Sequence, residues 1–425
     1  MKLRRLTADF VKQKRVLLRV DYNTPLKQVG QQQVVADDTR LKITLPTLKF
    51  LLKHQAKIII NFHFGRPGGK VVEKYRVDPV AKRLAELLKK PVKKIDVPAG
   101  PEAEKAVAEM QPGDILMLEN PRFNPGEETN DPKFAKQLAD LADVFVNDGL
   151  ASAHRDHASV TGVTKYLPSA AGFALVEEVN ILEKLMSKPT RPFVAVVGGA
   201  KISDKIDAIR NLSKIADVVL VGGGVANNFL KADGVEVYHS YLQDVPVDVK
   251  KKKMSFVGVA EDLIRETKSE KMMLHGYIPL PKIIYPSDVL AVDNLEKPTK
   301  QKTILLANGN GHEKDKDWMF VDIGPKTQKL YRDIILQAKT VFWNGPMGVF
   351  EHAPFAQGTK TVAKAVANNK GNTIVGGGDT IRAIRNLKIE NRYDYVSAAG
   401  GAALELLSNK MLVGLKPLLR SANSK

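Results

Sequence analysis

The sequence predicts an α/β protein of two domains, each a parallel sheet flanked by helices. Short apolar runs alternate with helix-like segments along most of the chain. In the second half, three of these runs end in glycine clusters, and each cluster is followed by a helix-like segment. In the first half the runs end in polar and charged side chains instead. At 425 residues the chain is also longer than one ordinary core holds.

The clearest of the glycine units is 372–384. Thr373, Ile374 and Val375 form a buried strand, Gly376-Gly377-Gly378 carry no side chains, and Asp379 with Thr380 opens a helix. Phe193 to Val197 runs likewise into Gly198-Gly199-Ala200-Lys201, and Val218 to Val221 into Gly222-Gly223-Gly224. A bare turn before a helix N-terminus exposes main-chain N–H groups and a partial positive charge, and both suit a phosphate. If the three strands share one parallel sheet, their turns converge at its carboxyl edge, where open α/β sheets bind ligands. None of them matches G-x-G-x-x-G. Gly65 to Lys70 is one residue short of a P-loop and lacks its Ser/Thr.

In the first half, Arg15 to Val20 is a strand leading to Asp21-Tyr22-Asn23. Asp37-Asp38-Thr39-Arg40 starts a helix that Pro46 bends or splits. Ile58 to Ile60 is a second strand and exits into His63-Phe64-Gly65-Arg66. Asp78-Pro79 and Asp131-Pro132 each read as an N-cap followed by an N1 proline. Ile115 to Leu118 precedes Arg122, and Val144 to Val146 precedes Asn147-Asp148, with His154-Arg155-Asp156-His157 beyond. The two histidines, three apart, read as partners of backbone groups rather than metal ligands. Arg40, Arg66, Arg122 and Arg155 thus gather at strand exits and a helix start. Guanidinium forks match carboxylate and phosphate, so this half is expected to hold a small, multiply charged anion.

Ala170 to Met186 reads as a helix, broken by Lys188-Pro189-Thr190-Arg191-Pro192 at the domain joint. The expected division is 1–170, a linker 171–192, a second domain 193–392 and a tail 393–425. Within the second domain, Tyr238 to Gly311 is the least legible stretch, and Asn308-Gly309-Asn310-Gly311 reads as a turn. Ser421 to Lys425 is expected to fray.

Composition narrows the classes. There are no cysteines, which excludes disulfides and thiolate chemistry. No apolar run approaches the roughly 18 residues of a membrane span, and Met1 to Arg15 lacks the apolar core of a secretory signal. A soluble cytoplasmic protein is expected. The net charge of +18 suits anionic substrates or a polyanion. Apart from Lys250 to Lys253, the basic residues are scattered through amphipathic helices, which argues against nucleic acid as the main partner.

An anion pocket and a phosphate cradle together suggest phosphoryl transfer. Lys201 and Lys205, four apart, are expected on one helical face where they neutralise the moving group. Asp379 is the best-placed carboxylate for Mg2+, or else the N-cap of its own helix. No general base stands out, and a carboxylate acceptor, already ionised, needs none.

These residues resemble the phosphoglycerate kinase family over nearly the whole chain. The resemblance rests on Arg19 to Leu26, Asp37 to Arg40, His63 to Pro67, Leu118 to Phe123, Val146 to Asp148, Ala153 to Arg155, Gly198 to Lys205, Trp343 to Glu351 and Gly376 to Thr380. It implies two Rossmann-like lobes joined by a hinge helix, a monomer, and a tail returning to the first lobe. It also implies that Asp21, Asn23, Arg40, His63, Arg66, Arg122 and Arg155 hold 3-phosphoglycerate or 1,3-bisphosphoglycerate. Lys201, Lys205, Asn344, Glu351, Gly377, Gly378, Asp379 and Thr380 would hold Mg-ATP or Mg-ADP, with Arg40, Lys201, Lys205, Gly378 and Gly401 acting in transfer. Three stretches depart from the family pattern: Gly149-Leu150-Ala151 and Tyr395 to Ala399, both tied to lobe closure, and Phe320, which replaces a glycine beside the base pocket. A slow or inactive relative that binds anions or nucleic acid is the alternative.

Overall fold

The computed structural model describes residues 1–249, 252–272, 279–306 and 317–420. The chain divides into two compact units, Met1–Glu183 with Met411–Lys425, and Lys184–Lys410. Both are α/β. The helix Phe173–Ser187 carries the chain from the first to the second.

The first unit is built on a six-stranded parallel sheet in the order Lys93–Lys94, Ile115–Met117, Lys57–Asn61, Arg15–Arg19, Val144–Asn147, Ser169–Ala171. The central strands are buried on both faces, as their near-continuous apolar runs require. Val16 and Leu18 pack into one apolar cluster and Leu17 into another on the opposite face. Pro46 does split its helix, giving Thr39–Ile43 and Leu45–Lys53. Asp131 caps Pro132–Asp140 by accepting from Phe134 N at 2.8 Å. Asp78 instead lies inside Asp78–Leu88, one residue past the cap at Val77.

The second unit carries another six-stranded parallel sheet, ordered Ile283–Ile284, Val218–Val221, Phe193–Val197, Thr340–Asn344, Asn372–Gly376, Tyr395–Ser397. All three glycine-ended strands belong to it. A separate antiparallel sheet of Gln301–Leu305, Asp288–Val292 and Met319–Ile323 accounts for part of the least legible stretch. The expected turn at Asn308 to Gly311 and the expected fraying at Ser421 to Lys425 lie outside the described residues.

Two expected boundaries move. The helix expected from Ala170 begins at Phe173, because Ser169–Ala171 pairs with Val144–Asn147 as the sheet's last strand. Residues 393–410 belong to the second unit rather than to a returning tail. Tyr395–Ser397 extends its sheet, and Asn211 Nδ2 donates to Leu407 O at 2.5 Å. Only from Met411 does the chain rejoin the first unit, where Gly414 N donates to Ala153 O at 2.8 Å and Arg4 N to Leu418 O at 2.7 Å.

Candidate active site

At the carboxyl ends of the first sheet the structure gathers the expected polar residues. Asp21, at the exit of Arg15–Arg19, is ion-paired with Arg40 at the start of Thr39–Ile43. Asn23 Oδ1 accepts from Gly65 N at 3.0 Å, tying two strand exits together. Arg122 is buried, with Nη1 2.7 Å from Gly65 O and Nη2 2.8 Å from Glu128 Oε1. Arg66 is exposed, and its charge acts on both Arg122 and Arg155.

His63 lies at the centre of this group. Its Nδ1 is 2.9 Å from Arg19 Nη2, and its Nε2 is 3.2 Å from Arg155 Nη1. Burial, then the charges of Arg19, Arg122 and Arg155, hold its pKa well below the ordinary value. The ring is therefore neutral, with one N–H and one lone pair. Both nitrogens face guanidinium donors, so only one contact can be a hydrogen bond. The closer one gives the lone pair to Arg19, which leaves the His63 N–H and the Arg155 N–H facing each other. An anionic oxygen accepting from both would resolve the conflict.

Two residues of this network were not among the expected ones. Arg19 is fully buried inside a strand, and its Nη1 donates to Asn61 Oδ1 at 2.9 Å. Burial, its largest influence, lowers its pKa to about 10. Glu127 is likewise fully buried, with Oε1 2.6 Å from Ser159 Oγ and Oε2 accepting from Ser159 N at 3.0 Å. Burial raises its pKa, but His157, Arg19 and Ser159 outweigh this and hold it below the usual carboxylate range. Glu127 thus supplies interior negative charge against the arginines and anchors the loop that carries Arg155.

In the second unit the glycine turns after Phe193–Val197 and Val218–Val221 line one cavity of about 190 Å3, and the turn after Asn372–Gly376 reaches it only through Asp379. Its glycine rim includes Gly199, Gly223, Gly224 and Gly348, and its apolar wall includes Leu230, Val289 and Phe320. Phe320 also packs edge-on against Tyr238, with ring centroids 6.2 Å apart. The turns serve different ends. A Cβ at Gly223 would stand 2.8 Å from Gly199 O, so this glycine lets two turns touch. Gly378 and Gly401, each the first residue of a helix, have open space where a side chain would project. Gly377, at φ +93°, is the cap that sets up Gly378–Asn386.

The side chains around these turns differ from expectation in three respects. Lys201 and Lys205 share no helical face: Lys201 precedes the 3-10 turn Ile202–Asp204, and Lys205 precedes the helix Ile206–Ile215. Lys201 is exposed, whereas Lys205 hydrogen-bonds Asn344 Oδ1 and burial lowers its pKa to about 8. Asp379 is not an N-cap; it is the second residue of its helix, its side chain 65% exposed. Thr380 is fully buried, and its hydroxyl accepts from Gly345 N at 2.6 Å, so it braces the turn instead of facing the cavity. Asn344 Nδ2 is buried without a hydrogen-bond partner among the described residues, beside Gly377. Glu351 pairs with Arg382. Asp322, on the cavity wall, is pushed up to about 7 by burial, against backbone donors that include Gly358 and Ile323.

No group of three or more His, Asp or Glu side chains placed to hold a metal occurs among the described residues. No helix among them is long and apolar enough to cross a membrane.

The phosphoglycerate kinase family profile matches residues 7–410. A phosphoglycerate kinase of Pelotomaculum thermopropionicum is 44% identical over 409 residues, covering 96% of this chain and 97% of the relative. One of Moorella thermoacetica is 44% identical over 406 residues, covering 95% and 96%. Among solved structures, phosphoglycerate kinase from Coxiella burnetii superposes with a TM-score of 0.77 at 34% identity, covering 96% of this chain and 97% of that one. The enzyme from Pyrococcus horikoshii gives 0.77 at 30% identity, with 98% of each chain covered. The chain belongs to the phosphoglycerate kinase family.

Proposed function

We propose that the arginine-lined strand exits of the first unit hold 3-phosphoglycerate or 1,3-bisphosphoglycerate, and that the glycine turns of the second hold Mg-ATP or Mg-ADP. Family membership gives the reaction class, an ATP:3-phosphoglycerate 1-phosphotransferase of glycolysis. The observation that carries the first assignment is His63 with both ring nitrogens facing guanidinium N–H groups, an arrangement with at least one hydrogen too many until an anionic oxygen accepts it. The second is supported by the open space at Gly378 and Gly401 and by the unpartnered Asn344 Nδ2 beside Gly377.

Arg40 orients the substrate carboxylate and the group in flight, while Lys201 and Lys205 neutralise its charge. The acceptor is itself a carboxylate, which accounts for a site without a general base. Asp379, an exposed carboxylate, would hold a magnesium ion brought in with the nucleotide. Such an ion, when bound, supplies charge neutralisation at the phosphates. The protein acts as a cytoplasmic monomer on small molecules, and a purely anion-binding or nucleic-acid-binding role is not favoured.

A coupled assay with ATP and 3-phosphoglycerate tests the reading. Arg40→Ala and Lys201→Ala are each expected to cut turnover by at least about a hundredfold while the fold is retained. Rates close to wild type would refute their assignment.

A further inference from the structure

Arg382 stands beside the cavity, in contact with three residues that line it. It lies three residues after Asp379 on the helix Gly378–Asn386, and its Nη2 is 3.2 Å from Asp379 Oδ1. The same nitrogen pairs with Glu351 Oε1. Its guanidinium carbon sits 4.7 Å from the centre of the Phe350 ring. Phe350, Glu351 and Asp379 all line the cavity. One cation therefore bridges two of the cavity's carboxylates, Glu351 and Asp379, and the ring of Phe350, next to Glu351 in the chain, helps fix where it rests.

A guanidinium and a divalent cation have similar demands on a carboxylate and repel each other. A metal entering at Asp379 must share that oxygen pair with Arg382 or displace it. The three side chains are about half exposed, at 52%, 47% and 65% for Arg382, Glu351 and Asp379. Ion pairs of that exposure are weak, so the guanidinium is a competitor and not a plug. Glu351 and Phe350 also give it somewhere to stay once Asp379 is released.

We propose that Arg382 is a positioning residue that competes with the divalent metal for Asp379 and thereby sets how much free magnesium nucleotide binding requires. The proposal rests on the reading that Asp379 carries the metal. Without metal, Arg382 keeps the carboxylate neutralised and oriented. With metal-nucleotide, it withdraws onto Glu351 and Phe350.

The test is calorimetric titration of ADP into the full chain at a series of free magnesium concentrations, which reads binding and not turnover. The quantity of interest is the magnesium concentration that half-completes the tightening of ADP. Arg382→Gln keeps much of the length and removes the charge, and is expected to lower that midpoint about threefold to fivefold, the size of one exposed ion pair. Arg382→Lys, which retains a cation without the fork, is expected to fall between Gln and wild type. A midpoint unchanged or raised in Arg382→Gln overturns the proposal. Asp379→Asn separates the two levels. If it abolishes the magnesium effect while Arg382→Gln does nothing, the competitor role fails and the metal assignment stands. If the magnesium effect survives Asp379→Asn, the metal assignment fails and the competitor role with it.

Discussion

Arg19 Nη2 lies 2.9 Å from His63 Nδ1, and neither side chain is more than 3% exposed. The two belong to adjacent parallel strands and their exits: Arg19 ends Arg15–Arg19, and His63 follows Lys57–Asn61. A charge that never meets solvent thus decides which nitrogen of His63 is the acceptor, and so which one presents an N–H toward Arg155.

Arg19→Met is expected to weaken 3-phosphoglycerate binding about tenfold and to lower stability by about 1.5–3 kcal/mol, the range for a charged hydrogen bond. A purely structural role for Arg19 would leave the titration of His63 alone. Removing its charge should instead raise the His63 pKa, though not to the ordinary value, because burial is the largest cause of the depression. NMR titration of the His63 ring in the two proteins checks this.

Asp322 gives a pH prediction. Burial raises its pKa from 3.8 to about 7, so between those values the folded chain holds a proton that the unfolded chain has lost. Its contribution to stability is complete below about pH 3.8 and is lost as pH rises through about 7. Asp148, also raised to about 7 by burial, has the same sign. Denaturant titrations at pH 5 and 7.5 should show a smaller loss of stability in Asp322→Asn than in wild type.

Lys205 works in the opposite sense. Burial lowers its pKa to about 8, so in the free protein its cation disappears as pH climbs through that value. ADP affinity is expected to fall between pH 7 and 9, and Lys205→Arg, which stays charged, should flatten the fall. A profile identical in both proteins would remove Lys205 from phosphate binding.

Much of this was legible because the signals are local. Asp131-Pro132 caps a helix through contacts within three residues, and Ile58 to Ile60 is apolar throughout because both faces of its strand are covered. Arginines at strand exits were readable for the same reason, since a strand's end fixes where its next residues go. The rest depended on distant partners. Arg19 reads as the polar end of a strand until Asn61 and His63 meet it, 42 and 44 residues on. Its only signal was a charge beside a run of fully apolar residues. Lys201 and Lys205 have helical spacing, but a 3-10 turn intervenes and sends one outward and the other onto Asn344. Tyr395–Ser397 is three residues long, too short for periodicity to assign it to the second sheet, and so 393–410 was expected elsewhere.

If guanidinium groups of the first unit hold the acid and bare main chain of the second holds the nucleotide, one substitution should separate the two affinities. Calorimetric titration of wild type and Arg66→Ala with each ligand separately measures this. The affinity for 3-phosphoglycerate is expected to fall about tenfold or more while that for ADP stays within about twofold. Unchanged 3-phosphoglycerate binding, or an equal loss for both ligands, would mean that the two ligands are not held this way.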